Sequence, residues 1–255
     1  MSVLDRFRLD GETAIVTGGD RGIGKAIATG LADVGANVVV ANRNAAAGET
    51  AATEIADETG AATLAVPTDV TDEAAVEGLL EATVAEFGDV DVLVNNAGIV
   101  RHNAVADKSV AEWEETIDVN LTGAYRCSKY AGEVMKAGGG GVIINVSSMS
   151  AFIANYPQRQ VDYQASKAGL EGFKTQLASE WAEHGIRVNN INPGYVDTGI
   201  LVDDDSVIDA WKAEMLVDEF ADPEDIAPLA VYLASDAASY VTGESVVIDG
   251  GYTVR

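Results

Sequence analysis

The chain has 255 residues, of which 47% are hydrophobic, so its composition allows the core of one large domain or two small ones. Its 41 acidic and 16 basic residues give a net charge of −25, which excludes the basic surface that binds nucleic acid. No apolar run approaches the roughly 20 residues of a membrane-spanning helix, so we expect no membrane association.

Short apolar segments alternate with helical patterns along the chain. The predicted strands are residues 14–16, 37–40, 63–66, 91–94, 142–146, 187–191 and 245–248. The predicted helices are residues 24–34, 45–59, 72–87, 109–136, 163–184, 208–216 and 223–234, with Asp72 as an N-cap. Nearly continuous apolar strands separated by helices indicate a parallel sheet covered on both faces. No Pro-rich or Gly-rich linker interrupts residues 1–255, which predicts a single domain with an irregular acidic segment at 195–222.

Cysteine and histidine are scarce in this chain. Cys127 is the single cysteine, which excludes an internal disulfide framework and a zinc site built from several cysteines. His102 and His184 lie far apart in sequence, so we expect no metal centre. The first eight residues lack the apolar region and cleavage site of a signal peptide, and we therefore expect a cytoplasmic protein.

Three glycines, Gly18, Gly22 and Gly24, lie between the first predicted strand and the first predicted helix. Glycine in this position lets the backbone approach a pyrophosphate at a helix N-terminus, where free amides and the helix dipole favour anions. A glycine turn that only packs the strand on the helix is the alternative interpretation. The strand–turn–helix context favours nucleotide binding, although the spacing is not that of the G-x-G-x-x-G fingerprint.

A phenol and an ammonium, those of Tyr163 and Lys167, are spaced four residues apart in a predicted helix. That spacing is about one helical turn, so the two side chains share a face. A nearby ammonium favours the phenolate and lowers a tyrosine pKa that is about 10 in isolation. Tyr163 is therefore a candidate general acid or base, although the same spacing also occurs on ordinary solvated helix faces.

These motifs resemble the short-chain dehydrogenases/reductases over essentially the whole chain. Residues 17–24 are similar to the family's TGxxxGIG turn, and residues 95–98 match its NNAG. The other matches are the helix asparagine Asn120, the serine Ser148, the YxxxK residues Tyr163 and Lys167, and Pro193 with Gly194 after the sixth strand. The resemblance implies an α/β fold, a single-domain doubly wound Rossmann fold whose seven-stranded parallel sheet has the order 3-2-1-4-5-6-7. It also implies a homotetramer.

The resemblance implies a role for each of four catalytic residues. Tyr163 would exchange a proton with the substrate hydroxyl, and Ser148 would hydrogen-bond the same oxygen. Lys167 would lower the tyrosine pKa and contact the nicotinamide ribose, and Asn120 would position a water that links Lys167 to solvent. The stretch between Ser148 and Tyr163 is two residues longer than in the commonest members, so Ser150 is the alternative serine.

The cofactor that the resemblance implies is NADP or NAD. An acidic residue at the end of the second strand would bond the adenosine ribose and repel a 2′-phosphate. This chain has Asn42 and Arg43 there, with Arg21 in the glycine turn, so NADP is favoured and NAD is the alternative. The expected cofactor-binding residues are Gly18, Arg21, Gly22, Ile23, Gly24, Asn42, Arg43, Asp69, Val70, Asn96, Ala97, Gly98, Tyr163, Lys167, Pro193, Gly194, Val196 and Thr198.

The substrate is indicated by residues 155–160, which look like those of family members that act on polyols, ketoses and sugar acids. The expected substrate-binding residues are Ser148, Ser150, Gln158, Gln160 and Tyr163, with His102 and Asn103 as further polar candidates. Arg101 or Arg159 would suit a carboxylate, and His102 is equally consistent with a loop histidine that has no role. Segment 195–222 resembles the family's substrate lid, and its acidic residues Asp203, Asp204 and Asp205 disfavour a highly anionic substrate.

The sequence therefore predicts an oxidoreductase that interconverts a secondary alcohol and a ketone on a small-molecule sugar, polyol or sugar acid. A 3-oxoacyl-thioester reductase on the same scaffold is the alternative enzyme. A non-catalytic nucleotide-sensing regulator is the alternative of another class, but it would not need the set Asn120, Ser148, Tyr163 and Lys167. The apolar residues Leu170, Phe173 and Leu177 fit either a subunit interface or the core of one chain.

The acidic residues are spread along the chain and predict a dependence on salt. A folded surface of this charge repels itself at low ionic strength, and salt at 1 M, where the Debye length is about 3 Å, removes that repulsion. We therefore expect a high-salt cytoplasm as the native environment.

We predict that the melting temperature rises when KCl is increased from about 0.05 M to about 2 M, because screening weakens the surface repulsion. Thermal unfolding followed by circular dichroism measures this shift. A parallel series with an uncharged osmolyte controls for general stabilisation by cosolutes. A chain that stays folded and soluble in salt-free buffer, with an unchanged melting temperature, would contradict the high-salt hypothesis.

Overall fold

Seven strands alternate with helices along the chain. The strands are β1 Thr13–Thr17, β2 Asn37–Asn42, β3 Thr63–Pro67, β4 Val92–Asn95, β5 Gly141–Val146, β6 Ile186–Pro193 and β7 Ser245–Ile248. They form one sheet in the order β3-β2-β1-β4-β5-β6-β7, and every neighbouring pair is parallel. The computed structural model describes residues 2–199 and 205–255, and the side chains of Asp205 and Ser206 lie outside that description. The predicted doubly wound fold and its strand order are confirmed.

Helices cover both faces of this sheet. They are α1 Gly22–Asp33, α2 Ala45–Thr59, α3 Glu73–Phe87, α4 Val110–Ile117, α5 Gly123–Gly138, α6 Val161–Trp181, α7 Asp205–Glu214 and α8 Pro223–Ala234. Helices α1, α2 and α8 pack on one face, and α3, α5 and α6 pack on the other. Asp72 caps α3 as expected, because its carboxylate accepts the amides of Ala74 and Ala75. No helix in the described part of the chain is long and apolar enough to cross a membrane.

The central strands contain continuous apolar runs because both of their faces are covered by separate cores. In β1, Ala14 and Val16 belong to the core under α1, α2 and α8, whereas Ile15 belongs to the core under α3, α5 and α6. All three residues are fully buried. Successive side chains of a strand point to opposite faces, so a strand covered on both faces needs apolar residues at every position.

The predicted helix over residues 109–136 is interrupted at its middle. Helix α4 ends at Ile117, a π turn spans Asp118–Thr122, and α5 begins at Gly123. Residue Gly123 closes the π turn, because its amide bonds the Asp118 carbonyl five residues back. A Cβ on Gly123 would lie 2.7 Å from Val70 Cγ2, so glycine lets the helix approach the end of β3. Periodicity alone does not distinguish such a turn from continuous α-helix.

The acidic segment 195–222 contains more regular structure than expected. Helix α7 begins at Asp205 rather than near residue 208, and Val196 pairs with Ala221 in an isolated parallel bridge. Trp211 of α7 stacks on Tyr195, with ring centroids 4.4 Å apart and planes 11° apart. These contacts bring α7 over the carboxyl end of β6. Asp203 and Asp204, on which the charge argument for the lid rested, lie outside the described residues.

Three asparagines form a ladder across neighbouring strands at the carboxyl end of the sheet. Asn95, Asn145 and Asn190 are paired in register on β4, β5 and β6. Asn95 Nδ2 donates to Asn145 Oδ1, and Asn145 Nδ2 donates to Asn190 Oδ1, both at 2.9 Å. The ladder ends on helices, at the Ser128 hydroxyl of α5 and the Leu170 carbonyl of α6. Buried amides are stable only when hydrogen-bonded, so this ladder sets the position of α5 and α6 on the strands.

We predict that Asn145→Leu lowers the free energy of unfolding by about 2–3 kcal/mol, because it keeps the volume but removes both ladder bonds and leaves polar groups of Asn95 and Asn190 without partners. Denaturant unfolding followed by circular dichroism measures the change. Asn103→Leu is the matched control, since that amide bonds the partly exposed Glu112 and its loss should change stability by less than about 1 kcal/mol. Equal stability of the two variants would show that the ladder does not hold the sheet to its helices.

Candidate functional site

Two adjoining cavities lie at the carboxyl ends of the strands. The larger has a volume of about 660 Å³, and the smaller has a volume of about 320 Å³. Both are lined by Ile23, Asn96, Gly98, Ile99 and Thr198, so the two spaces meet at these residues. The crevice outside the carboxyl ends of parallel strands is where open α/β sheets bind ligands.

The glycine turn forms one wall of the larger cavity. Gly22 has φ +52°, a left-handed conformation that favours glycine, and a Cβ on Gly24 would collide with the Gly18 carbonyl oxygen and the Asn96 side chain. Among the residues that the structure describes, no side chain caps the N-terminus of α1, and Gly22, Ile23 and Gly24 of its first turn line the cavity. The glycine turn therefore has a shape, and the start of α1 has backbone hydrogen-bond donors, that fit a pyrophosphate.

The turn after β4 is clamped to the turn after β1. Thr17 Oγ1 accepts the backbone amides of Asn96 and Ala97 at 3.0 and 3.1 Å. In return, Asn96 Nδ2 donates to the carbonyls of Thr17 and Gly18 at 2.9 and 3.0 Å. The NNAG match therefore has a physical basis, because these bonds hold the floor of the larger cavity against the glycine turn.

Most of the expected cofactor-binding residues line the larger cavity. They are Gly18, Arg21, Gly22, Ile23, Gly24, Asn42, Arg43, Asp69, Val70, Asn96, Ala97, Gly98 and Thr198. The others, Tyr163, Lys167, Pro193, Gly194 and Val196, line the smaller cavity. Asn44 also lines the larger cavity, which the sequence analysis missed. The sequence contained a signal for Asn44, because asparagine is a preferred helix N-cap and this residue stands directly after Arg43 at the start of α2.

The far end of the larger cavity is basic and amide-rich at the end of β2. Arg21 and Arg43 are exposed and line the cavity, while Asn42 is buried and donates to the Asn44 carbonyl at 2.8 Å. Burial alone would raise the pKa of Asp69, but the hydrogen bonds from Thr71 outweigh it, and Arg43 also contributes to the lowered value. Asp69 is therefore an ionised carboxylate that its own turn already engages.

Tyr163 and Lys167 meet in the smaller cavity, on one face of α6. Lys167 Nζ donates to the Val146 carbonyl at 2.7 Å and lies 5.5 Å from the centroid of the Tyr163 ring. Burial lowers the pKa of Lys167 to about 8, with the Glu171 charge opposing it. A cationic group with this pKa can gain or lose a proton near neutral pH.

The expected lowering of the tyrosine pKa by Lys167 is wrong for this arrangement. Burial raises the pKa of Tyr163, and the Ser148 hydroxyl is the contact that opposes the rise. The physical reason is that the Lys167 ammonium is directed to the Val146 carbonyl, while the phenol is removed from water. Tyr163 is therefore a neutral phenol here, suited to donate a hydrogen bond or a proton.

Ser148 and Ser150 are both buried in the wall of the smaller cavity. Their hydroxyls are 3.1 Å apart, and Ser148 Oγ also accepts the Ser150 amide. The Asn192 side chain donates to the Ser148 carbonyl at 3.1 Å and holds it in place. Of the two serines, Ser148 is the one whose hydroxyl opposes the rise in the Tyr163 pKa, which supports its choice over Ser150.

Asn120 has a different set of contacts from those expected. Its carboxamide accepts the Ile99 amide at 2.8 Å and donates to the Ile99 carbonyl at 2.9 Å. It also donates to Ser166 Oγ at 3.1 Å, and that hydroxyl donates to the Tyr163 carbonyl at 2.7 Å. Asn120 thus ties the turn after β4 to α6, and its role in a water-linked relay stays a prediction.

Polar side chains form one part of the remaining wall of the smaller cavity, beside apolar residues that include Val100 and Met149. The expected residues Gln158 and Gln160 are present there, together with Asn155 and Tyr195, which the sequence analysis did not assign. Gln160 Nε2 donates to Asn155 Oδ1 at 3.2 Å, and Tyr195 donates to Gln158 Oε1 at 3.1 Å. Asn155 belonged to the segment that was singled out, whereas Tyr195 is brought in by its stacking on α7, which leaves no pattern in the sequence.

Neither arginine that was expected to meet a carboxylate lines the smaller cavity. Arg101 pairs with Glu115 at 2.7 Å on the surface, and Arg159 is exposed. Arg101 bonds the nearby carboxylate of Glu115, and Arg159 extends into solvent. Neither contact could be read from the sequence. Across residues 2–199 and 205–255, no three His, Cys, Asp or Glu side chains are grouped so as to hold a metal ion.

Comparisons with known proteins agree with this geometry. A family model described as Enoyl-(Acyl carrier protein) reductase matches residues 18–253. The D-threitol dehydrogenase of Mycolicibacterium smegmatis is 40% identical, over 100% of this chain and 98% of its own. The NADP-dependent mannitol dehydrogenase of Hypocrea jecorina is 37% identical, over 99% of this chain and 96% of its own.

Solved structures are equally similar to this chain. A short-chain type dehydrogenase/reductase from Mycobacterium marinum has a TM-score of 0.95 and 40% identity, with 100% of both chains covered. A gluconate 5-dehydrogenase from Burkholderia cenocepacia, in complex with NADP and tartrate, has a TM-score of 0.95 and 34% identity over 100% of both chains. With the glycine turn, the serine, the YxxxK pair and the strand order all in place, the chain belongs to the short-chain dehydrogenase/reductase family.

Proposed function

We propose that the chain is an NAD(P)-dependent oxidoreductase that interconverts a secondary alcohol and a ketone on a polyol, sugar or sugar acid. The observation that carries this proposal is the meeting of Tyr163, Ser148 and Lys167 in a cavity that opens directly into a second one of nucleotide size. The bound NAD(P) supplies the acceptor or donor of a hydride. The glycine turn would hold its pyrophosphate, and Tyr163 and Lys167 would hold its nicotinamide end.

The residues of the chain itself move the proton and orient the alcohol. In the reducing direction the Tyr163 phenol gives its proton to the carbonyl oxygen, and in the oxidising direction it takes that proton back. The Ser148 hydroxyl, which opposes the rise in the Tyr163 pKa, would bond the same substrate oxygen and hold it within reach of the phenol. The Lys167 ammonium, held by the Val146 carbonyl, lies 5.5 Å from the centroid of the Tyr163 ring and places a positive charge beside the reacting group.

The lining of the smaller cavity favours a polyhydroxylated substrate. Gln158, Gln160, Asn155 and Ser150 present amides and a hydroxyl, and a volume of about 320 Å³ suits a small sugar alcohol. Relatives named for threitol and mannitol, and another named galactitol 2-dehydrogenase, support this choice. A thioester of a fatty acyl chain would place methylenes against these polar groups, which disfavours the acyl-thioester alternative.

The basic end of the larger cavity favours NADP over NAD. Two guanidiniums, those of Arg21 and Arg43, line it, and an amide rather than a carboxylate ends β2 at Asn42. A guanidinium binds phosphate bidentately, whereas a carboxylate there would repel it. Related structures hold either form, since a gluconate 5-dehydrogenase is complexed with NADP and a 7α-hydroxysteroid dehydrogenase with NADH.

We also retain a homotetramer and a cytoplasmic location as predictions. Leu170 and Leu177 are buried within the chain, which makes them core residues. Phe173 is half-buried and packs edge-on against Tyr125, whose ring is 52% exposed. This exposed aromatic pair on α5 and α6 supports a subunit interface on the surface that these two helices share.

We predict that Tyr163→Phe lowers kcat by about 100- to 10,000-fold, because the proton donor is lost, while the affinity for the dinucleotide stays within about threefold. Initial rates at molar KCl on a panel of polyols, aldoses, sugar acids and 3-hydroxyacyl thioesters measure the first effect. Fluorescence titration measures the second. Tyr130→Phe is the matched control, since that hydroxyl bonds the exposed Glu73. Silence of the wild type on the whole panel, with dinucleotide still bound, would instead support a sensor.

We predict that Arg43→Leu lowers kcat/KM for NADP by about 10- to 100-fold, as expected for the loss of one charge-assisted hydrogen bond, and leaves kcat/KM for NAD within about threefold. Steady-state rates at one fixed salt concentration compare the two cofactors. Arg8→Leu, in which the lost guanidinium pairs with the exposed Asp10, is the control. An unchanged ratio of the two cofactors in Arg43→Leu would contradict the assignment of the basic end to a 2′-phosphate.

A further inference from the structure

A buried ion pair lies next to the catalytic tyrosine and has no part in the proposed chemistry. Lys108 Nζ is 2.9 Å from Asp162 Oδ2, and the two side chains are 3% and 0% exposed. Asp162 directly precedes Tyr163 in the first turn of α6, whereas Lys108 ends the loop that follows the turn after β4. The pair therefore joins two segments that approach the smaller cavity from different directions.

The same two side chains make further contacts that extend the junction. Lys108 Nζ donates to the Arg101 carbonyl at 3.2 Å, and Thr116 Oγ1 of α4 donates to Asp162 Oδ2 at 2.7 Å. Burial alone would raise the pKa of Asp162, but the bonds from Lys108 and Thr116 outweigh it and keep the carboxylate ionised. The Lys108 ammonium thus joins the backbone carbonyl of Arg101 to Asp162, the residue that precedes Tyr163.

The residue that follows this anchor point is His102, which lines the smaller cavity. Burial lowers the pKa of its imidazole, and the Lys108 charge lowers it further, while Asp162 opposes the shift. The ring is therefore neutral at neutral pH. A neutral imidazole carries one donor and one acceptor, which suits a substrate hydroxyl better than a carboxylate or an apolar group.

A purely stabilising role does not account for the pair. The free-energy cost of removing two charges from water is offset only when the pair has good geometry. Apolar residues of similar volume often replace such pairs without loss of stability. The geometry is specific at both ends, since the ammonium bonds the carbonyl adjacent to His102 and the carboxylate adjoins Tyr163. The pair therefore joins the backbone next to His102 to the residue next to Tyr163.

We propose that His102 binds a hydroxyl of the substrate other than the one that reacts, and that the Lys108–Asp162 pair positions it to do so. This inference rests on the proposed function, because it requires a substrate with more than one hydroxyl. It makes His102 a specificity-determining residue and Lys108 and Asp162 positioning residues. The His102 side of the cavity then distinguishes substrates by their chain length and hydroxyl pattern, separately from the proton transfer at Tyr163.

The first test replaces the imidazole. We expect His102→Leu to raise KM for a four- to six-carbon polyol by about 10-fold, with a smaller change in kcat, because a hydrogen bond to a remote hydroxyl is lost. The rise in KM should be clearly smaller for 2-butanol, which has no second hydroxyl. His102→Gln keeps a donor and an acceptor and should recover most of the affinity. Arg101→Gln is the control, since that side chain pairs with Glu115 on the surface.

The second test removes both charges together, so that neither is left buried and unpaired. We expect Lys108→Met with Asp162→Leu to fold, with a melting temperature within about 5 °C of the wild type. We expect this variant to raise the polyol KM about as much as His102→Leu does. Adding His102→Leu to it should produce little further rise, because the three residues act as one unit. The 2-butanol rate reports any disturbance of Tyr163 itself.

The outcomes separate the two proposals. A wild-type enzyme that oxidises no polyol would overturn the proposed function and this inference with it. Polyol turnover with an unchanged KM in His102→Leu would overturn the inference alone. Fully multiplicative effects of the charge removal and His102→Leu would show that the pair does not act through His102. A charge-removed variant that fails to fold would show a structural role, and would overturn the positioning role.

Discussion

The site depends on the need of a buried ammonium for hydrogen-bond partners. Lys167 is almost completely removed from water, and its ammonium is held by the carbonyl of Val146 at the end of β5. Leaving such a charge unpaired would be strongly unfavourable, so the position of α6 along the sheet is tightly constrained. Ser147 Oγ adds a bond to the Lys167 carbonyl, and Asn190 adds one to the Leu170 carbonyl. Helix α6 is thus positioned by polar contacts, and its apolar packing adds stability around them.

The same principle explains where this acidic chain places its few lysines. Lys108, Lys167 and Lys174 all have side chains less than a tenth exposed, and all three contact α6 or belong to it. Lys174 bonds the Gly243 carbonyl and the Ser245 hydroxyl, and it lies 3.8 Å from Glu171. The acidic excess is therefore not evenly distributed, because beside the site these lysines are matched with the buried or partly buried carboxylates of Asp162 and Glu171. Salt would screen the surface charges and affect the buried ones much less.

Much of the architecture was predictable from the residues because local patterns and fold agree. The buried strands are continuous apolar runs, and Asp72, Pro223 and the glycines after helices mark helix ends with residues that suit those positions. The cofactor-facing residues were predictable for a related reason. A turn that binds a nucleotide requires glycine where the backbone approaches the phosphates, and such glycines are visible in the sequence by their type and spacing. The π turn at Asn120 was not predictable, since it depends on the contact of that amide with Ile99 in a distant segment.

The sequence by itself determined the fold class and, through its family resemblance, the strand order, and it singled out residues that line the two cavities. The fold class follows from alternating strand and helix patterns, and the glycine turn follows from residue type at fixed spacing within one strand–helix unit. Only the tertiary structure showed the burial that raises the pKa of Tyr163, the placement of Ser148 and Ser150 side by side, and the exclusion of Arg101 from the cavity. It also decided that Lys108 and Asp162, 54 positions apart, share one buried bond beside His102. Burial, charge partners and cavity walls arise from segments that meet only after folding, and no local pattern specifies them.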